Sequence, residues 1–276
     1  MRVDGFRAPL VLAVALVVAA APASRAEELR IDLGWDLGLT LGVGGAWILT
    51  ETLKGYLAPD ACNWCESNAF DDGARDALRW DDTGAADATS YVLGVALLPA
   101  LMLGVNAASA RDAGVAVQGA EDLLLVFEAI AFASTVNQAT KFLAGRERPF
   151  VQARGAADRS SSPGSPDDNL SFFSAHSTLA FAAAVSGATV ATLRGYDTAP
   201  YLWVIGGLMA LATGYLRIAA DRHYLSDVLV GAAVGSLVGW AVPWLHRASL
   251  WDDEAPEGTD RTSFLLGPPV SFGMVF

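Results

Sequence analysis

The sequence predicts an all-α fold, a membrane-embedded bundle of about six apolar helices with its functional site at helix ends on one face. Two observations carry that prediction. The 276 residues are 53% hydrophobic and only 17% charged, with a mean hydropathy of +0.37. Six apolar stretches rich in Ala, Leu, Val and Gly recur between polar breaks, over residues 37–53, 91–110, 123–140, 177–193, 200–216 and 228–245. Each is long enough, at about 1.5 Å per residue, to cross much of a bilayer. No strand-like alternation competes with them, and the glycines and other small residues along them suit close helix–helix approach.

In chain order, residues 1–26 read as an export signal. Arg2 and Arg7 give a positive start, "APLVLAVALVVAAAPA" gives a short apolar core, and Ala23 and Ala26 offer small residues for cleavage. An uncleaved anchor is the alternative. Residues 27–90 then hold the first apolar helix and an acidic segment, 54–90, whose charges read as solvated surface. This segment contains Cys62 and Cys65. In an exported chain a local disulfide is the natural reading of that pair. A zinc site would need two further ligands, and no histidine is nearby. The core is expected over residues 91–247. Its third stretch is the least membrane-like, because Glu121, Asp122 and Glu128 are costly inside a bilayer. Residues 151–170, with "RGAADRSSSPGSPDDN", form an irregular connection. Residues 248–276 are a C-terminal tail.

The net charge of −12 and pI near 4.6 exclude a nucleic-acid binder, which needs a basic footprint. The chain has only two lysines, Lys54 and Lys141, and the second ends an apolar run with Arg146 and Arg148 just behind it. Ser174 and His176 stand at the start of the fourth stretch, where unpaired helix amides make a natural anion site. His223 and Asp227 are four apart, so on a helix they share a face and the carboxylate can orient the imidazole. Arg217 lies six residues upstream of that histidine. If the helices alternate in direction, these three groups converge, and their cations suit a tetrahedral oxyanion.

The pattern resembles the type 2 phosphatidic acid phosphatase superfamily, which includes class A acid phosphatases and vanadium haloperoxidases. Lys141, Arg148 and Pro149 match the family's K-x6-R-P. Phe173-Ser174-Ala175-His176 stands where the family has P-S-G-H. Arg217, His223 and Asp227 match R-x5-H-x3-D, with Leu216 in place of a serine. The resemblance covers roughly residues 91–245. It implies a phosphatase acting on a phosphate monoester or pyrophosphate, with lipid-borne substrates, by way of a phosphohistidine and with no cofactor or metal. His223 would be the nucleophile, Asp227 its support and His176 the acid and base. Lys141, Arg148, Ser174, the Ala175 amide and Arg217 would hold the phosphate. The substitutions at 173, 175 and 216 bear on substrate fit more than on chemistry. Two other readings keep the same pocket: a vanadate-dependent haloperoxidase, and an envelope protein that binds phosphate without turnover. The implied partners are a phosphorylated lipid or small phosphate ester and membrane lipid, with oligomeric state left open. The implied location is a bacterial-type inner membrane with the site facing the periplasm, or the periplasm itself.

Overall fold

The computed structural model describes residues 26–154 and 164–250; nearly all of the expected signal and of the expected C-terminal tail lies outside them. The described residues form helices and connections, with two isolated β-bridges, Leu29 to Arg247 and Trp64 to Arg146. Seven helices organise them: α1 (Leu33–Thr52), α2 (Ala69–Leu78), α3 (Thr83–Asp112), α4 (Ala116–Ala144), α5 (Ala175–Leu193), α6 (Ala199–Ala219) and α7 (Leu225–Leu245). All six expected apolar stretches are helical. Helices α3, α5, α6 and α7 are each long and apolar enough to cross a membrane.

Helix α5 is the axis of the bundle. Its sequence is almost entirely small or apolar, and nearly every residue is buried. It packs against α7, α6, α4 and α3. The tightest contact is with α7, whose Gly231, Gly235 and Gly239 recur every fourth residue. A methyl group at Gly235 would lie 2.3 Å from the Thr178 carbonyl oxygen, and one at Gly239 2.7 Å from that of Ala182. The two backbones therefore touch, as small-residue faces permit. Outer faces carry exposed apolar side chains, among them Leu41 and Ile48 on α1, Leu208 on α6, and Leu237 and Trp240 on α7.

Local sequence explains the irregular places. Helix α3 has a π-helical turn at Val92–Leu97 just ahead of Pro99, which lacks an N–H and crowds the carbonyl four residues back. Helix α4 ends at Gly145, which adopts φ +52°, a conformation that favours glycine. Two of the three carboxylates that made the α4 stretch look unlike a span, Glu121 and Asp122, find partners near its start. Arg194 pairs with Glu121 and Asp122, each at 2.8 Å, and Tyr196 donates to Asp122 at 2.7 Å.

Most carboxylates of the acidic segment are exposed as expected, but the segment is not simply a loop. It contains α2 and the start of α3, so helix runs through the expected boundary at residue 90. Asp71 is fully buried because it pairs with Arg146 at 2.7 Å. Cys62 and Cys65 are disulfide-bonded. The loop they close docks on the turn after α4, where the Asn63 amide donates to Gly145 O at 2.9 Å and that of Glu147 to Trp64 O at 3.0 Å.

Candidate active site

The ends of α4 and α6 and the starts of α5 and α7 face the same end of the bundle. They surround a cavity of about 350 Å³ whose walls include Lys141, Arg148, Ala175, His176, Arg217 and His223. Helical direction explains the convergence of residues 82 positions apart, since antiparallel neighbours bring the C-termini of two helices to the N-termini of the others. Ala175 and His176 open α5, so the positive end of that helix points at the cavity.

The cations reach the cavity in different states of pairing. Lys141 is buried and has no hydrogen-bond or ion-pair partner among the described residues. The Arg148 Nε donates to Asp167 O at 2.7 Å. The Arg217 Nη1 donates to Asp87 Oδ1 at 2.5 Å and to Ser90 Oγ at 2.7 Å, while its Nε is buried without a partner. Arg222, Lys54, Glu51 and Asp167 also line the cavity. Burial pushes the Asp167 carboxyl upward, but Arg148 and Lys54 together outweigh that effect and hold it below its ordinary range.

His223 is 2% exposed. Its Nδ1 lies 2.8 Å from the Ser171 carbonyl oxygen. A carbonyl can only accept, so Nδ1 carries the proton and the neutral ring keeps its lone pair on Nε2. Burial first, then Arg148, Lys141 and Arg217, hold its pKa well below the usual histidine value. This geometry differs from direct support by Asp227, whose Oδ2 is 3.7 Å from Nδ1. Asp227 instead accepts from Ser171 Oγ at 2.6 Å and from the Tyr224 amide at 3.0 Å. The carboxylate therefore fixes the segments that hold the imidazole.

Asp227 and Ser174 are not among the cavity-lining residues. Ser174 is fully buried and caps α5, its Oγ accepting from Ser177 Oγ at 3.0 Å. His176 lines the wall with its Nε2 unpartnered and its ring edge-on to Tyr91, centroids 4.2 Å apart. Behind the wall stands Arg146, fully buried. It pairs with Asp227 at 2.5 Å and Asp71 at 2.7 Å, and its guanidinium lies between the rings of Trp64 and Tyr224, 3.9 and 4.1 Å from their centroids.

Sequence reasoning did not single out Ser171, Asp71 or Asp87 for this site. Each acts across a separation of 52 to 130 residues, which no local spacing reveals. The signal available for Arg146 was its place two residues before Arg148.

Residues 122–251 match the PAP2 superfamily. The chain is also 43% identical over 75 residues to the lipid A 1-phosphatase of Porphyromonas gingivalis. That stretch is 27% of this chain and 16% of the relative, so the chain spans a small part of that protein's length. No solved structure matches the chain.

Proposed function

We propose that the chain is a lipid phosphate phosphatase that works through a phosphohistidine. The observation that carries this reading is the neutral His223, its Nδ1 proton committed to Ser171, in a cavity walled by Lys141, Arg148 and Arg217. A non-catalytic anion site has no use for such a base among cations.

In the proposed first step His223 Nε2 attacks phosphorus and the bond to the lipid oxygen breaks. The departing oxygen takes a proton from His176, whose protonated form is favoured by the dianionic phosphate beside it. In the second step His176 removes a proton from water, the resulting hydroxide attacks phosphorus, and the N–P electron pair returns to Nε2. Lys141, Arg148, Arg217 and the first amides of α5 stabilise the charge on the three equatorial oxygens. No metal takes part in these steps. Asp227, acting through Ser171 and the Tyr224 amide, keeps the imidazole in register.

A lipid substrate is supported by Trp47, Val95 and Leu179, which add an apolar stretch to the cavity wall, and by the activity named for the P. gingivalis relative. The site is proposed to face the periplasm of a bacterial envelope. The test compares wild type and His223→Ala in detergent, offering a lipid A 1-phosphate, phosphatidate and an aryl phosphate. The expected result is turnover of a lipid by wild type, loss of at least about a thousandfold in the variant, as for nucleophiles generally, and an acid-labile phosphoryl adduct in wild type alone. A variant turning over near the wild-type rate would falsify the assignment of the nucleophile.

A further inference from the structure

A second cluster of titratable groups lies at the opposite end of the bundle, where α1, α4 and α7 meet. Asp36 is in the first turn of α1, whose last turns reach the cavity with Trp47 and Glu51. His246 follows the end of α7. Glu128 lies thirteen residues before Lys141, about 20 Å along α4 at about 1.5 Å per residue. One ligand atom from each of the three lies within 4.8 Å of the other two.

We propose that Asp36, Glu128 and His246 bind a divalent cation of the Zn²⁺ type, which ties α1 and α4 to the end of α7. Three independent features point to a cation. Glu128 is 3% exposed and its Oε2 has no hydrogen-bond partner, a costly state for a buried carboxylate. The His246 Nδ1 lies 2.8 Å from the Val242 carbonyl oxygen and so donates to it. That leaves the Nε2 lone pair directed to Asp36 Oδ1, 3.5 Å away. A backbone carbonyl on one ring nitrogen is the arrangement that orients a histidine for metal on the other. Asp36 is fixed as well, its Oδ2 accepting the Asp32 amide at 2.8 Å.

Charge supports the same reading. Two carboxylates and a neutral imidazole balance a divalent ion, and one nitrogen with two oxygens is a donor set that Zn²⁺ accepts. Among the described residues no lysine or arginine pairs with Asp36 or Glu128. The adjacent Arg247 is turned to Glu27 at 3.6 Å and lies over the Trp244 ring at 3.8 Å. Helix α1 packs on α4 and makes few contacts with the rest of the bundle; the residues just before it pair with those just after α7, and the cation adds a side-chain tie at that junction. The role is structural, and it is independent of the proposed reaction.

The test uses the tag-free full chain in detergent, stripped with EDTA and titrated with Zn²⁺ alone. Bound metal and the thermal midpoint are both measured. The expected result is one Zn²⁺ per chain, a Tm that rises on reloading, and affinity at least about tenfold weaker in Glu128→Gln, the lower end of what second-shell changes alone cost. In stripped protein, Glu128→Gln is expected to melt higher than wild type, because an unpaired buried charge is gone. No stoichiometric uptake would overturn the proposal. So would uptake unaffected by both Glu128→Gln and His246→Gln, or a stripped protein stabilised by acidification but not by Zn²⁺, which assigns the cluster a shared proton. None of these readouts depends on phosphate release, so the outcome is separable from that of the phosphatase test.

Discussion

His223 takes its protonation state from its surroundings, and this has a measurable consequence. Buried against three cations, it stays neutral in the folded protein at pH values where the free side chain, with a pKa near 6.5, takes up a proton. The unfolded chain therefore binds more protons than the folded one below about pH 6.5. Stability contributed by this group is present above that pH and is lost as the pH falls. Comparing wild type with His223→Gln cancels the other titrating groups. Between pH 7.5 and 5.5 the wild type is expected to lose about 1 kcal/mol more than the variant, a Tm difference of roughly 2–4 °C. Parallel Tm profiles would show that His223 titrates normally. Lys141, Arg148, His176, Arg217 and His223 of the cavity wall were legible in the sequence because their motifs are local. What was not legible is how they are supported. The four-residue spacing of His223 and Asp227 suggested direct contact, but His223 lies before the first residue of α7 rather than one turn along it, so the imidazole reaches Ser171 O. Arg146 likewise read as one more cation, whereas it is the buried link between Asp71 and Asp227.

At the scale of elements, the helices follow from apolar run length, and their depth of burial follows from side-chain size. Helix α7 lies against α5 so closely that Gly235 has no room for even a methyl group, which would sit 2.3 Å from Thr178 O and 3.1 Å from Ala182 N. Gly42 on α1 has nothing within 4 Å of such a methyl. The two glycines should therefore respond oppositely to alanine. Gly235→Ala is expected to separate the backbones and destabilise by about 1–3 kcal/mol, as overpacking does. Gly42→Ala is expected to stabilise by up to about 1 kcal/mol, through helix propensity alone. Thermal melts in one detergent decide the matter, and equal effects at both sites would remove close packing as the reason for Gly235. The sequence showed that glycines favour close approach but not which ones are used. That depends on which face of α7 meets α5. The segment 54–90 was misread in part for a related reason: most of its carboxylates are exposed as expected, but Asp71 and Asp87 are not. Its acidic composition is that of a solvated loop, and only arginines distant in sequence, Arg146 and Arg217, turn Asp71 and Asp87 inward.

At the scale of the whole molecule, the two ends of the bundle are chemically distinct. One end holds the cavity, and the other holds the Arg194 pairs and the Asp36–Glu128–His246 cluster. The disulfide marks which end is which, because Trp64, between Cys62 and Cys65, pairs with Arg146 beside the cavity. A disulfide persists in an oxidising compartment, which is the argument for a cavity facing the periplasm. The chain contains no cysteine other than this pair, so its sidedness can be read without mutation. Intact cells are treated with a membrane-impermeant phosphine, then with an impermeant maleimide, and the labelled chain is compared with that from lysed cells. A periplasmic cavity predicts near-complete labelling of both cysteines in intact cells, and none when the phosphine is omitted. Labelling confined to lysed cells would turn the cavity to the cytoplasm, and would restrict the substrate to lipid phosphates presented on that leaflet.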